Sequence, residues 1–208
     1  MLLLKKILVQ MNLNFFEDIE KNVIGVDEVG RGALCGPVVS SAVLLNKNLL
    51  NHDLSKEIDD LKKLNEKKRY LISNFIKKNS IFTFGVSTNI EIDEINILNA
   101  TILSMKRALQ QLNNLDNVIK IDGQKIFNFN KKTIFITKGD QKSAPIAAAS
   151  ILAKCFRDDL LKKLSKKYPN YEWEKNKGYG TKKHLEAIKQ FGITEFHRKT
   201  FLSKLLNK

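Results

Sequence analysis

The sequence has little cysteine, histidine or proline, and it has no long apolar run. Two cysteines, Cys35 and Cys155, are too few for a disulfide scaffold and favour a reducing cytoplasm. The three histidines lack the spacing of a zinc site, so we interpret His52, His184 and His197 as structural or surface residues. The apolar start of the chain is too short to predict a signal peptide or a transmembrane segment.

Two common nucleotide-binding motifs are also missing. No Gly-Lys-Ser/Thr sequence completes the phosphate loop of an NTPase. The glycines at 30, 32 and 36 are spaced one residue too widely for a dinucleotide fingerprint. The run that follows them, Pro37-Val38-Val39, is typical of a strand where that fingerprint needs a helix. An NTP-dependent enzyme is therefore disfavoured.

Positive charge is what the sequence has in excess. The 36 Lys and Arg residues outnumber the 22 Asp and Glu residues, which gives a net charge of +14. Such an excess favours polyanionic partners, nucleic acid first and an anionic membrane surface second. A composition rich in lysine, asparagine and isoleucine raises the charge without any function behind it. The charge therefore supports a nucleic-acid partner without establishing one.

Hydrophobic spacing predicts an α/β fold, with one mixed sheet flanked by helices and a small helical C-terminal part. Strands are expected at 23–26, 38–45, 80–89, 118–121 and 133–137. Helices are expected up to about 78 after a cap at Asn65, and at about 91–112, 143–167 and 181–190. We expect a short N-terminal extension over 1–22, an α/β domain over 23–168 and the helical segment over 169–208.

Acidic side chains stand at the predicted ends of three strands. Asp27 and Glu28 follow the first strand, Asp122 follows the fourth, and Asp140 follows the fifth. In open α/β sheets ligands gather beyond the carboxyl ends of the strands, and carboxylates that converge there repel one another unless cations join them. Two divalent ions held in this way are the usual apparatus for phosphodiester cleavage. In a regular strand Asp27 and Glu28 face opposite ways, so we expect the strand's end to turn at least one of them. Unrelated surface acids are the less favoured interpretation.

A glycine turn, Gly30-Arg31-Gly32, comes directly after the first acids. Glycine lets the backbone turn sharply and approach a ligand closely, and Arg31 adds a cation between the two glycines. This order suits a metal site beside a phosphate. The alternative is a simple strand cap with exposed acids and a loop arginine.

Taken in order, the motifs resemble those of the ribonuclease HII family over nearly all of residues 20–200. The matching segments are Asp27-Glu28-Val29-Gly30-Arg31-Gly32, Lys62-Lys63-Leu64, Asp93-Glu94-Ile95-Asn96, Asp122-Gly123, Lys138-Gly139-Asp140-x-Lys142-Ser143, Arg157-Asp158, Gly178-Tyr179-Gly180-Thr181 and His197-Arg198-Lys199. The resemblance implies a ribonuclease H-like fold. It also implies an endonuclease that uses Mg²⁺ or Mn²⁺ on RNA–DNA hybrids. Such an enzyme cuts on the 5′ side of a ribonucleotide in duplex DNA and leaves 3′-hydroxyl and 5′-phosphate ends.

The resemblance also implies roles for single residues. The metal-site carboxylates are Asp27, Glu28, Asp122 and Asp140. Gly30, Arg31 and Gly32 read the 2′-hydroxyl through their backbone, and Tyr179 packs on the sugar at the RNA–DNA junction. Phosphate contacts are expected from Lys62, Lys63, Lys142 and Ser143, and Asp158 is expected to be a structural partner on a helix face. Two residues depart from the family pattern, namely Leu61 in place of a serine and Pro145 in place of a small polar residue.

Two rival interpretations carry different expectations. The sister family, ribonuclease HIII, has a long N-terminal DNA-binding domain and lacks the arginine of the glycine turn, which is present here as Arg31. A catalytically silent nucleic-acid-binding module has no need for four convergent acids, which weaken phosphate binding when no metal is present. We therefore expect a nuclease that acts on nucleic acid as a monomer and does not associate with a membrane.

Overall fold

The computed structural model describes residues 15–58, 64–112, 116–130 and 132–206. The predicted phosphate contacts Lys62 and Lys63, and the variant position Leu61, lie outside these residues. Five strands are described: β1 (Ile24–Val29), β2 (Val38–Leu45), β3 (Ser80–Ser87), β4 (Ile119–Asp122) and β5 (Thr133–Ile136). The helices are α1 (15–20), α2 (Glu66–Lys78), α3 (Asn89–Gln110), α4 (Ala144–Lys167), α5 (Trp173–Asn176), α6 (Lys182–Phe191) and α7 (Lys199–Leu206). None of the described helices is long and apolar enough to cross a membrane.

The strands form one mixed sheet in the order β3-β2-β1-β4-β5, which confirms the predicted fold class. Strands β1, β2 and β3 form an antiparallel meander, whereas β4 and β5 run parallel to β1. Parallel strands end at the same edge of a sheet, so β1, β4 and β5 deliver the residues that follow them to one place. The sequence predicted this arrangement of strand ends.

Glycines allow two helices to lie directly on the sheet. A Cβ at Gly25 would come within 2.1 Å of the Pro145 carbonyl carbon, so only glycine lets the start of α4 reach β1. On the opposite face, a Cβ at Gly85 would come within 1.9 Å of the Ser104 carbonyl oxygen of α3. Helix α4 is rich in buried alanine, which keeps its axis close to the sheet along its first half. The acids at the ends of the strands are therefore supported by a tightly packed layer.

Helix α3 bends at Asn96, whose φ of 65° is not helical. The Asn96 side chain accepts hydrogen bonds from the amides of Leu98 and Asn99, so it caps the helix again after the bend. The spacing of apolar residues predicted one continuous helix here, because an internal cap does not disturb that spacing.

Residues 15–20, which the sequence analysis placed in the N-terminal extension, form α1 and pack on the core. Ile19 is buried among residues of α2 and α4. Asp18 is only 3% exposed. Its carboxylate accepts from the Ser143 hydroxyl at 2.6 Å and pairs with the Lys120 ammonium at 2.6 Å. This network ties the start of α4 to β4, the two elements that flank the acids.

Behind Tyr179 the C-terminal part is organised by a buried pair of histidines. His184 Nδ1 lies 2.9 Å from the Tyr179 carbonyl oxygen, which can only accept, so Nδ1 carries the proton. His184 Nε2 must then accept, and it does so from Trp173 Nε1 at 3.0 Å and from His197 Nε2 at 3.2 Å. His197 Nδ1 accepts from the Thr194 amide at 2.9 Å. Both rings are therefore neutral, which confirms a structural role for these two histidines.

This network predicts that acid weakens the fold through His197. Burial lowers the pKa of His197 to about 4, the neighbouring His184 adds to this shift, and the hydrogen bond with the Thr194 backbone opposes it only in part. The unfolded chain binds this proton near pH 6.5, so stability from the pair is complete above that pH and is lost as the pH falls towards 4. The difference corresponds to about 3 kcal/mol.

The measurement is urea unfolding of the wild type and of His197→Asn between pH 7 and pH 4.5. We expect the variant to be less stable at pH 7 but to lose less stability on acidification. The exposed His52, whose Nδ1 accepts from the Leu54 amide, provides a matched control as His52→Asn. An equal loss in wild type and His197→Asn would contradict the assignment of neutral rings.

Candidate active site

Asp27 and Asp122 are side by side at the sheet edge. Val26 of β1 is paired with Ile121 of β4, and the two aspartates are the next residues of these parallel strands. The side chain of Asp27 lies towards α4, where the Ser150 hydroxyl is within hydrogen-bonding reach. The sequence prediction that the first and fourth strands bring their acids together agrees with this register.

Asp27 is 6% exposed and lies in a field of negative charge. Burial raises its pKa well above the ordinary value, and the charges of Glu28 and Asp122 raise it further. Hydrogen bonds from Ser150 and from the Glu28 amide, at 2.7 Å, oppose this rise only in part. Burial also raises the pKa of Glu28, whose carboxylate lies 3.3 Å from the Arg31 guanidinium.

Strand β1 continues to Val29, one residue past the acids, and stays in register with β2 at Asp27 and Glu28. The expectation that the end of the strand turns one of these side chains was therefore wrong, and the two leave opposite faces of β1. No three carboxylate, histidine or cysteine side chains in the described ranges form a ready-made metal cluster.

Asp140 reaches the site from a short turn after β5. Residues Gly139–Gln141 form one turn of 3₁₀ helix, which follows Lys138 in the left-handed conformation. The Gly139 amide donates to Asp122 Oδ1 at 2.5 Å, so the turn that carries Asp140 is bonded to the acid of β4. A Cβ at Gly139 would come within 3.2 Å of the same oxygen. The turn that follows β5 is thus joined to the end of β4.

The donor set fits a hard divalent cation. Neither Asp27 nor Asp122 forms an ion pair with a lysine or arginine of the described residues. A buried carboxylate without a cationic side chain is costly unless a bound cation neutralises it, and carboxylate oxygens are the ligands that Mg²⁺ and Mn²⁺ prefer.

The glycine turn lies beside the acids, and its two glycines differ in kind. Gly30 has a φ of +96°, and a Cβ there would come within 2.3 Å of Arg157 Nε, so the fold itself requires glycine. Gly32 is exposed, and nothing lies within 4 Å of where its Cβ would be. The protein therefore has no packing reason for glycine at 32, whereas a ligand that approaches the backbone from outside supplies one.

A second loop brings Tyr179 to the same surface. The Leu34 amide donates to the Gly178 carbonyl at 2.8 Å, which joins this loop to the segment that follows the glycine turn. Gly178 has a φ of +79°, and a Cβ there would come within 2.7 Å of the Cys35 carbonyl oxygen. The Tyr179 ring is partly exposed and lies 5.6 Å from the centre of the Arg157 guanidinium. The loop that carries Tyr179 is thus joined to the segment that follows the glycine turn.

Comparison with known proteins agrees with this site. A family model described as Ribonuclease HII matches residues 24–204. A ribonuclease HII from Pelagibacter ubique is 50% identical over 182 residues, which cover 87% of this chain and 96% of the relative. A second, from Fusobacterium nucleatum, is 52% identical over 199 residues, 92% of this chain and 91% of the relative. The chain belongs to the ribonuclease HII family.

Membership makes this chain a ribonuclease H, a metal-dependent nuclease of the hydrolase class. A solved structure supports the fold independently, namely the PCNA:RNase HII complex from Archaeoglobus fulgidus. Its matching chain has a TM-score of 0.72 at 21% identity, over 85% of this chain and 93% of that one. At this identity the likeness concerns the fold alone.

The remaining predicted contacts of this ribonuclease H divide into two groups. Lys142 is exposed, and its ammonium donates to the Thr137 carbonyl at 2.9 Å, so it lies at the surface beside Asp140. Ser143 was predicted to contact a phosphate, but this interpretation was wrong. The residue is fully buried, because Asp18 of α1 takes its hydroxyl. Asp158 is buried and pairs with Lys154 at 2.7 Å, in keeping with a structural role on α4.

Sequence reasoning missed two arginines that shape the site. Arg157 and Arg198 are both fully buried, and each donates to backbone carbonyls around the glycine turn. In a chain with so many basic residues, nothing in the local sequence separates these two from surface cations. The one available signal was that both arginines lie in segments that match the family, namely Arg157-Asp158 and His197-Arg198-Lys199.

The contrast between the two glycines gives a test of the ligand-facing turn. We expect Gly32→Ala to leave the free energy of unfolding within about 0.5 kcal/mol of the wild type. It should lower cleavage of a ribonucleotide-containing duplex about tenfold or more, because the methyl group stands between the backbone and the substrate. Gly30→Ala is the matched comparison and should cost more than about 1 kcal/mol of stability. Thermal unfolding and initial rates measure both effects, and full activity of Gly32→Ala would show that no ligand approaches there.

Proposed function

We propose that this enzyme cleaves the RNA strand of RNA–DNA hybrids and nicks duplex DNA on the 5′ side of embedded ribonucleotides, single ones included. The products carry 3′-hydroxyl and 5′-phosphate ends. The observation that carries the proposal is the arrangement around Asp27, which is buried and has no lysine or arginine partner among the described residues. It lies beside Asp122 and is followed by a turn with open backbone, and the loop that carries the partly exposed Tyr179 is joined to the segment after that turn. Two Mg²⁺ or Mn²⁺ ions are the proposed cofactors, and the reducing cytoplasm, where the buried cysteines stay as free thiols, is the proposed compartment.

Asp27, Glu28, Asp122 and Asp140 would hold the ions. When bound, divalent ions generate hydroxide at neutral pH and stabilise the leaving oxygen. Asp27 and Asp122 are the residues that suit a shared ion, because they are neighbours on parallel strands. Asp140 arrives from the turn bonded to Asp122 and suits a position at one ion or at the attacking water.

Substrate choice would rest on the backbone of the nucleic acid. An embedded ribonucleotide differs from its neighbours by one hydroxyl and by its sugar pucker, and base edges carry no such information. The glycine turn offers amides to the 2′-oxygen, and the Tyr179 ring offers a surface to the deoxyribose that follows. The net charge of +14 supplies affinity for the phosphates without sequence preference.

Replacement of one acid tests the metal site. We expect Asp122→Asn to lower the cleavage rate more than about a hundredfold, since even groups that only orient metal ligands contribute about 10- to 100-fold. Duplex binding should persist, because the basic surface supplies it. Asp116→Asn makes the same change at an acid that lies before β4 and pairs with the exposed Lys132. Initial rates with Mg²⁺ and gel-shift affinity measure the two effects. Wild-type rates in Asp122→Asn would remove this residue from the metal site.

Tyr179 tests the reading of the RNA–DNA junction. Packing of the ring tolerates a deoxyribose and crowds a ribose hydroxyl, so it favours a junction over continuous RNA. We expect Tyr179→Ala to lower the rate at a single ribonucleotide about tenfold more than the rate on a long hybrid. Tyr179→Phe should keep most of the preference. The measured quantity is the ratio of initial rates on the two substrates, and an unchanged ratio in Tyr179→Ala would assign junction recognition to other residues.

A further inference from the structure

The arginine that supports Tyr179 is buried beneath both parts of the proposed substrate face. Arg157 is fully buried on α4, and none of the described carboxylates pairs with its guanidinium. Its three nitrogens donate instead to backbone carbonyls. Nε donates to Pro37 at 2.9 Å, Nη2 to Cys35 at 2.9 Å and Nη1 to Lys177 at 2.8 Å. A buried cation is tolerated when its hydrogen bonds are made in this way.

These three carbonyls belong to two separate segments. Cys35 and Pro37 follow the glycine turn, whereas Lys177 precedes Tyr179 by two residues. The planar guanidinium therefore spans the gap between the segments as a rigid spacer, which a flexible ammonium cannot do.

The same side chain touches the two proposed reading groups. Gly30 lies against Arg157, because a Cβ there would come within 2.3 Å of Nε and 2.8 Å of the Cδ atom. The Tyr179 ring lies over the guanidinium, with its centroid 5.6 Å from the central carbon. One side chain is thus in contact with the turn on one side and with the ring on the other.

Arg198 provides a comparison within the same molecule. It is equally buried and also donates to three carbonyls, those of Gly30 at 2.7 Å, Arg31 at 2.8 Å and Gly36 at 3.0 Å. All three belong to the glycine turn and the segment after it. In a trans peptide the N–H points opposite to the C=O, so Arg198 turns the amides of Arg31 and Gly32 away from the interior. Neither amide donates to an acceptor within the part of the chain that the structure describes.

We propose that Arg157 is a positioning residue for junction recognition, which sets the distance between the glycine turn and Tyr179. The inference rests on the proposed function, because it assumes that the turn reads the 2′-hydroxyl and that the ring reads the next sugar. The two readings must be made one nucleotide apart, so the spacing between turn and ring selects a ribonucleotide that is followed by a deoxyribonucleotide. Arg198 serves the turn alone and affects every ribonucleotide alike.

The test is the ratio of initial rates on a duplex with one ribonucleotide and on a continuous RNA–DNA hybrid. We expect Arg157→Lys to lower this ratio about tenfold, as loss of one to two hydrogen bonds to a charged group implies. Arg198→Lys, the matched control, should lower both rates and leave the ratio within about twofold of the wild type. In the background of Tyr179→Ala, Arg157→Lys should change the ratio no further, because the group that it positions is gone. A purely structural role for Arg157 would lower both rates equally, and that outcome overturns the inference.

Gly178→Ala gives an independent reading should Arg157→Lys not fold. Its methyl group meets the Cys35 carbonyl oxygen and pushes the same two segments apart without leaving a buried cation unpaired. We expect the ratio to fall about threefold in this variant. An unchanged ratio in folded Gly178→Ala also overturns the inference. If Tyr179→Ala itself leaves the ratio unchanged, the proposed role of Tyr179 in recognising the junction is contradicted. If Tyr179→Ala changes the ratio and Arg157→Lys does not, only the present inference fails.

Discussion

Repulsion between buried carboxylates is the constraint on which this structure depends. The parallel pairing of β1 with β4 puts Asp27 beside Asp122, and burial raises the pKa of Asp27 together with the charges of its neighbours. Such repulsion destabilises the folded state, so the surrounding packing must contribute enough free energy to offset it. The close contact of α4 with β1 at Gly25 and the Asp18 network provide it around the site. The packing of α4 on the sheet thus stabilises a fold that the carboxylates at the ends of β1 and β4 destabilise.

The proposed substrate face is held by two arginines that are fully buried. Arg157 and Arg198 fix loops by bonding their carbonyl groups, which leaves amide groups and a ring to face outward. Each loop is irregular, yet several of its carbonyl groups are bonded from beneath by an arginine. In the proposed function, affinity and discrimination therefore come from different residues. Surface lysines would attract any duplex, whereas the buried arginines would shape the part that tells ribose from deoxyribose.

The sequence predicted the sheet and the strand-end acids, because both depend on local patterns. The mostly apolar run at 38–45 gave the bounds of β2 correctly, and Asn65 caps α2 as expected. What it could not predict depends on distant partners. Ser143 was assigned to phosphate because nothing near it in the chain reveals that Asp18 covers it. The end of the strand was expected to turn Asp27 or Glu28, but the pairing of β1 with β2 holds both in register.

The bonds from Arg198 to the glycine turn join residues 167 and 168 positions apart in the chain. Long-range contacts of this kind form late, after the local helices and the hairpin. A ribosome that has made the sheet and all four acids has therefore still not made the residue that orients the turn. The acids can gather on a nascent chain before Arg198 has been added and the glycine turn has been fixed. The glycine turn, and with it the proposed recognition of the ribonucleotide, is therefore completed after the acids have been made.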